Sequence, residues 1–150
     1  HCKDLAPAIK NLTKTADVRI ILKEFPIFPN SDVISAAALA ANKQGKFEAF
    51  HNALMSTNTQ INVDLVMKIA AEQGLNVEQL KKDMNDPTLK EEIKNNIILG
   101  GRLGIMGTPS FVIASNVDSQ EKLFSIFIPG AVSEETLRQA IQQAHEHVKE

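Results

Sequence analysis

The chain has no tryptophan, no tyrosine, a single cysteine (Cys2) and no long hydrophobic run. Without Trp and Tyr, stacking on nucleic-acid bases would depend on Phe alone, and a net charge of −2 provides no general attraction for phosphate. No apolar run reaches the roughly 18 residues that a membrane-spanning helix needs. A lone cysteine also excludes an internal disulfide. The sequence therefore predicts neither a nucleic-acid partner nor a transmembrane segment.

The composition is that of an ordinary globular protein. The 150 residues are 43% hydrophobic and 23% charged, which suits one domain or one domain with an insertion. Periodicity predicts a helix over 3–15, a buried strand over 17–26, about five helices over 30–103, strands at 110–114 and 123–128, and a last helix after residue 133. This order predicts an α/β core, residues 1–29 and 104–150, interrupted by an all-helical insertion, residues 30–103.

Several local signals support these elements. Asn76 and Gln79 have the spacing of a capping box, Ser133 can cap the last helix, and residues 116–122 form a polar turn between the late strands. The predicted buried stripes are Leu89, Ile93 and Ile97 on one helix, and Leu137, Ile141, Ala144 and Val148 on the last.

The first chemical signal is the N-terminal run from His1 to Pro7. A cysteine at the start of a helix lies where free N–H groups and the helix dipole favour a thiolate. Pro7 follows Cys2 by five positions and is expected to kink the helix or to lie near its first turn. The alternative is that Cys2 is a small buried hydrophobic residue, as most lone cysteines are.

The second signal is a Gly107-Thr108-Pro109 turn that leads into the apolar strand at 110–114. A cis peptide bond before proline turns the chain sharply and leaves the preceding backbone free to bind a ligand. We therefore predict a cis bond between Thr108 and Pro109. An ordinary turn with a trans proline is the alternative reading of the same residues.

Together the two signals resemble the DsbA-like branch of the thioredoxin superfamily. Its active-site motif is Cys-x-x-Cys followed by Lys and later by Ala-Pro, and Cys2, Lys3, Ala6 and Pro7 match it from the second cysteine onward. His1 matches the residue before that cysteine. Residues 23–27, 36–41 and 45–55 also look like this family, so the resemblance covers essentially the whole chain.

The resemblance implies a thioredoxin fold with an inserted all-helical domain, lacking the N-terminal strand or strands, and it implies thiol–disulfide exchange through a Cys-x-His-Cys dithiol. The attacking cysteine would lie three positions before Cys2, outside this chain. Cys2 would then be the resolving cysteine, His1 would stabilise the attacking thiolate, and Pro109 would belong to the catalytic site. Substrate would bind along Met106, Gly107 and Thr108. No cofactor and no metal are expected, and the chain as given is expected to lack dithiol catalysis.

The same resemblance implies partners and a location. Unfolded or reduced exported proteins would be the substrates, and a membrane or thiol redox partner would recycle the dithiol. The periplasm or bacterial cell envelope is the expected setting, because disulfides persist there. An oxidase role, an isomerase role and a homodimer formed through an upstream segment all stay open.

Two other functions are compatible with parts of the sequence. A non-redox, chaperone-like module could hold peptide at Thr108 and Pro109, and a residue other than cysteine three positions before Cys2 would favour it. A kappa-type glutathione transferase shares the helical insertion but normally carries serine near the helix start. His1 and Cys2 argue against that third reading.

Other polar residues are weaker candidates. His145 and His147 are two positions apart on a helix, so their rings should point apart on a solvated face rather than share a metal. His51 is expected to be a half-buried packing residue. Lys23 and Glu24 could form a proton relay, but adjacent strand residues face opposite sides, so at most one would face the cysteine.

Overall fold

The computed structural model describes residues 1–115 and 124–149. Within them, seven helices and two strands follow in the order α1 (Cys2–Thr15), α2 (Ser31–Lys43), α3 (Phe47–Met55), α4 (Val63–Glu72), α5 (Val77–Asp83), α6 (Pro87–Arg102), β1 (Ser110–Ala114), β2 (Ser125–Pro129) and α7 (Glu134–Lys149). None of the helices in the described ranges has the length and hydrophobicity that crossing a bilayer needs. The predicted polar turn at 116–122 lies outside the described residues.

The chain forms two compact units. The first contains residues 1–22 and 105–150, and the second contains residues 23–104. These are spatial groupings, and the division into a core (1–29 and 104–150) and an insertion (30–103) stays a prediction.

The first unit consists of the hairpin β1–β2 with α7 and α1. The strands are antiparallel, with Ser110 opposite Pro129 and Ala114 opposite Ser125. A two-stranded hairpin is marginally stable by itself, so its packing against α7 is required. The apolar residues buried on the two helices are Leu5, Leu12, Leu137, Ala140 and Ala144. The predicted helices and strands of this unit are therefore present, although β2 extends one residue beyond the predicted end at 128, to Pro129.

The predicted strand at 17–26 is wrong. No regular secondary structure is assigned there, and the side chains of Ile21 and Leu22 are 62% and 44% exposed. A strand requires a neighbouring strand to complete its ladder of hydrogen bonds. In the described part of the chain only β1 and β2 pair, and they pair with each other. A β-branched apolar run cannot supply that missing neighbour.

The second unit is built around α2. Residues 36–41 of this alanine-rich helix are all buried, and α3, α4, α5 and α6 pack around it. Small side chains allow the neighbouring helices to approach closely. The surrounding side chains that are almost completely buried are Phe50, Leu54, Val66 and Leu80.

Polar side chains fix the ends of these helices. The side chains of Asn62, Asn76 and Asp86 accept backbone N–H bonds at the starts of α4, α5 and α6. The capping box predicted at Asn76 is only half formed. Its amide oxygen accepts from the backbone N–H of Gln79, but the backbone N–H of Asn76 donates to the side chain of Gln44 at 2.9 Å. A residue distant in sequence has therefore replaced the local partner.

The predicted stripe on α6 is also only partly buried. Leu89 and Ile93 are buried, as predicted, whereas the Ile97 side chain is 43% exposed. The stripe fails at its third member because that part of α6 lines an open groove.

Candidate functional site

Cys2 is the first residue of α1 and His1 is its N-cap. The cysteine is free and half-buried, while His1 is exposed and its side chain makes no capping hydrogen bond. The sulfur-bearing residue therefore stands at the positive end of the helix dipole, as the sequence predicts. Pro7 lies inside the helix on its exposed face.

Hydrogen bonds to α7 hold the other end of α1 in place. Asn11 donates from Nδ2 to Oε1 of Glu134 at 2.7 Å, and the guanidinium of Arg138 donates to the hydroxyl of Thr15. Arg138 also donates to the Glu134 carboxylate, and these bonds hold the pKa of Glu134 below its usual value. This polar cluster and the buried Leu5 and Leu12 fix the position of α1, and therefore of Cys2 in its first turn.

The loop before β1 contains the second predicted motif. The peptide bond between Thr108 and Pro109 is cis, as predicted. Met106 is 96% exposed, whereas Gly107, Thr108 and Pro109 are half-buried. The predicted substrate-binding residues are therefore contiguous in one loop of the first unit, with Met106 projecting into solvent.

Ser110 is a site-positioning residue that the sequence reasoning missed. Its Oγ donates to the carbonyl oxygen of Gly107 at 2.7 Å and so closes the loop across Thr108 and Pro109. Serine often bonds to nearby backbone groups in this way, so its position directly after proline was the available signal.

The histidines have structural roles. His51 stacks on Phe47 with ring centroids 5.4 Å apart, and burial lowers the pKa of His51, as expected for a packing residue. The prediction of a solvated face at His145 and His147 is confirmed only in part, because both residues are half-buried. His145 Nε2 lies 3.1 Å from the carbonyl oxygen of Asp17, and His147 stacks on Phe124 at 4.6 Å. Residues 1–115 and 124–149 contain no cluster of His, Cys, Asp and Glu suited to a metal ion.

Glu24 lies in the second unit. Its Oε2 accepts a hydrogen bond from Ser35 Oγ at 2.8 Å, and its backbone oxygen accepts one from Asn96 Nδ2 at 3.1 Å. Burial raises the pKa of Glu24, the hydrogen bond from Ser35 opposes this, and the charge of Glu92 adds to it. Lys23 is exposed. The carboxylate of Glu24 thus joins its own segment to α2, and its part in a proton relay with Lys23 stays a prediction.

Known proteins resemble this chain in both structure and sequence. A thioredoxin-like oxidoreductase from Silicibacter pomeroyi is 34% identical, with a TM-score of 0.84 over 97% of this chain and 79% of that one. A periplasmic thioredoxin-like protein from Salmonella enterica serovar Typhimurium is 25% identical, with a TM-score of 0.73 over 99% of this chain and 78% of that one. These likenesses confirm the predicted fold class, an α/β thioredoxin-like fold with a helical insert.

Two curated relatives match at lower coverage. The probable disulfide bond formation protein D of Bacillus cereus is 30% identical over 110 residues, which is 67% of this chain and 51% of that protein. The Na(+)/H(+) antiporter NhaA of Herminiimonas arsenicoxydans is 25% identical over 97 residues, 65% of this chain but 16% of that protein. The chain thus spans about half of one of these curated relatives and about a sixth of the other.

The family model described as DSBA-like thioredoxin domain matches residues 1–142. Because this match covers nearly the whole sequence, the chain belongs to the DSBA-like thioredoxin domain family.

Proposed function

We propose that the protein is a thiol–disulfide oxidoreductase or isomerase for exported proteins, and that it acts through a Cys-x-His-Cys dithiol whose second cysteine is Cys2. The observation that carries the proposal is the position of Cys2, free and half-buried at the first residue of α1. A shielded second cysteine suits a resolving role, in which access by large substrates is undesirable.

The exchange consists of two displacements. In the reducing direction, the thiolate of the first cysteine attacks a substrate disulfide, forms a mixed disulfide and releases one substrate sulfur as a thiolate. Cys2, as a thiolate, then attacks the sulfur of the first cysteine in that mixed disulfide. An internal disulfide forms, and the second substrate sulfur leaves and takes up a proton. Oxidation of a substrate dithiol is the same sequence in reverse.

The topology of the first unit supports a single site formed by Cys2 and the loop that ends at Pro109. Ser110 pairs with Pro129, and α7 begins five positions after Pro129. The loop ending at Pro109 is therefore near the end of the hairpin from which the chain enters α7.

The direction of α1 supports the same arrangement. Asn11 bonds to Glu134 and Thr15 bonds to Arg138, so the two helices run in the same direction. Cys2 precedes Asn11 by nine positions, or about 13 Å of helix. The first turns of α1 therefore extend past the start of α7, toward the end of the unit where the loop lies.

The loop offers backbone groups for substrate. Ser110 engages the carbonyl oxygen of Gly107, which fixes the loop beside Thr108, and the exposed Met106 adds an adaptable apolar contact. An extended peptide can pair with such a backbone as an added strand does. We assign Met106, Gly107 and Thr108 to substrate binding, and Pro109, Cys2 and His1 to the redox site, where His1 stabilises the attacking thiolate.

A periplasmic or cell-envelope location follows from the chemistry proposed. Disulfides persist in such compartments, and one structural neighbour is a periplasmic protein. Reduced or unfolded exported proteins would be the substrates, and a membrane or thiol redox partner would restore the dithiol to its working state.

The decisive experiment compares this 150-residue chain with a version extended upstream through a cysteine three positions before Cys2. We expect insulin reduction and oxidative refolding from the extended protein and not from the shorter chain. In the extended protein, Cys2→Ser should trap a covalent complex with substrate that a reductant releases. Equal turnover by both chains would exclude the dithiol mechanism.

A non-redox peptide-binding module is the alternative, and the family relationship does not favour it. An extended protein that binds unfolded peptide but neither turns over nor traps substrate would establish it.

A further inference from the structure

A groove along α6 is not used by the proposed redox chemistry. It lies wholly within the second unit and has a volume of about 740 Å³, within the range of small-molecule sites, about 300–1,000 Å³. Its apolar lining includes Val33, Val63, Met67, Met84, Ile97 and Ile98. Val63 and Ile97 are 53% and 43% exposed, so apolar surface is open to solvent here, including one residue, Ile97, that periodicity predicts to be buried.

Cationic residues outnumber anionic ones in the lining of the groove, and the two kinds lie at different places along it. Three residues are cationic, namely Lys81, Lys90 and Lys94, and one, Asp32, is anionic. Lys81 is paired with Glu78 at 3.1 Å. Lys90 and Lys94 are exposed and form no ion pair within the described ranges. The unpaired positive charge therefore belongs to the first half of α6.

The packing of α2 against α6 gives the groove a direction. The ammonium of Lys43, at the end of α2, bonds to Asp86 at the start of α6. Ser35 and Asn96 both bond to Glu24, so the start of α2 lies near the end of α6. The two helices are thus antiparallel.

This direction separates a cationic end from an apolar end. Lys81 and Lys90 flank the α5–α6 turn, whereas Val33 of α2 lies at the other end with Ile97 and Ile98. The single carboxylate, Asp32, is also at the apolar end. Lys90 and Ile98 are eight positions apart, which is about 12 Å along a helix. The groove therefore has the length and polarity of a molecule with an anionic head and a medium-length alkyl tail.

The geometry points to a binding site for a free medium-chain alkyl carboxylate. Its carboxylate would lie beside Lys90, with Lys94 one turn further along α6, and its tail would run along the helix toward Ile97 and Ile98. Met67 and Met84 line the groove and can adapt to a flexible chain. An ammonium head would be repelled at the lysine end, where three cations line the groove, and could be attracted only by the single carboxylate of Asp32 at the other end. A carboxylate in the reverse orientation would be repelled by Asp32.

The four methionines of the chain provide an internal control. We would label their ε-methyl groups with carbon-13 and titrate the whole chain with decanoate below its micelle-forming concentration. The signals of Met67 and Met84 should shift and saturate together. Those of Met55 in α3 and Met106 in the other unit should stay unchanged. Equal shifts of all four signals would show detergent-like association and overturn the proposal.

Charge provides the second arm. Decylammonium has a similar tail and the opposite charge, and it should bind about tenfold more weakly or worse. Lys90→Glu with Lys94→Glu should weaken decanoate by a similar factor, while Lys82→Glu, an exposed lysine of α5 that does not line the groove, should leave it unchanged. The comparison of decanoate and decylammonium uses the wild-type chain, so it tests the proposal even if a variant fails to fold.

Two outcomes would overturn it. Equal affinity for decanoate and decylammonium would show that the lysines do not select the head group. Shifts of Met67 and Met84 with an acidic amphipathic peptide, but none with decanoate, would identify a protein-docking groove instead. Either result is independent of the redox function proposed above.

Discussion

A β-carbon added at Gly100 would lie 2.5 Å from Cε2 of the Phe25 ring. Gly100 is buried on α6, and Phe25 belongs to the segment that the sequence predicts to be a strand. The aromatic ring therefore fills the space that any other side chain would need. This contact, with the bond from Asn96 to the backbone of Glu24, attaches that segment to α6.

The first prediction follows from this contact. Gly100→Ala should destabilise the protein, because overpacking costs about 1–3 kcal/mol and exceeds a helix-propensity gain of about 1 kcal/mol. Gly101→Ala is the matched control, since nothing lies within 4 Å of its added β-carbon. It should stabilise by up to about 1 kcal/mol. Urea unfolding measures both, and equal effects would show that the ring of Phe25 is not held against α6.

The second prediction concerns pH and Glu24. Burial raises its pKa in the folded protein above the value of an unfolded chain, so folding favours the protonated form. The contribution of Glu24 to stability is therefore complete below about pH 4.5 and is lost as the pH rises through the raised pKa. Glu24→Gln can still accept a hydrogen bond from Ser35 and should flatten this dependence of the unfolding free energy. Glu91→Gln, at an exposed position of α6, serves as the control. A wild-type slope in Glu24→Gln would assign the pH dependence to other groups.

The third prediction concerns the packing of α7. Leu137 is 2% exposed, so Leu137→Ala should cost about 2–5 kcal/mol. Ile141→Ala should cost less, because Ile141 is only half-buried. Gln143→Ala, on the exposed face of the same helix, should change stability by less than about 0.5 kcal/mol. Wild-type thermal unfolding of Leu137→Ala would mean that α7 is not docked on the hairpin.

The fourth prediction concerns the loop before β1. Ser110→Ala removes the bond from its hydroxyl to Gly107, a loss of about 0.5–1.5 kcal/mol in local stability. Amide hydrogen exchange at Gly107 and Thr108 should become faster, while exchange within α7 should not change. Ser125→Ala, an exposed serine of β2, is the control. Unchanged exchange in the loop would show that the hydroxyl does not hold it.

The fifth prediction is the proximity on which a shared redox site depends. The sulfur of Cys2 should lie within about 8 Å of the Pro109 ring, because a larger separation is well beyond the contact limit of about 4.5 Å. A crystal structure of the extended protein measures this separation directly. A larger separation in a well-ordered structure would show that Cys2 and the loop do not form one site, although the family relationship would still hold.

Local signals predicted the helices well. Each depends on residues within one or two turns, through backbone bonds, caps and a repeating apolar face, so α1 to α7 formed within the regions predicted to be helical. The candidate site could also be read locally. Cys2 starts a helix, and Thr108 precedes a cis proline, because both features are set by a few neighbouring residues. The family followed from the same motifs.

Tertiary structure decided what depends on distant partners. The apolar run at 17–26 is not a strand, since no described strand pairs with it, and Ile97 is exposed because it lines an open groove on α6. Gln44, rather than Gln79, bonds to the backbone N–H of Asn76. In each case the sequence determined a tendency to be buried or bonded, but the available partner depended on how separate segments packed in space.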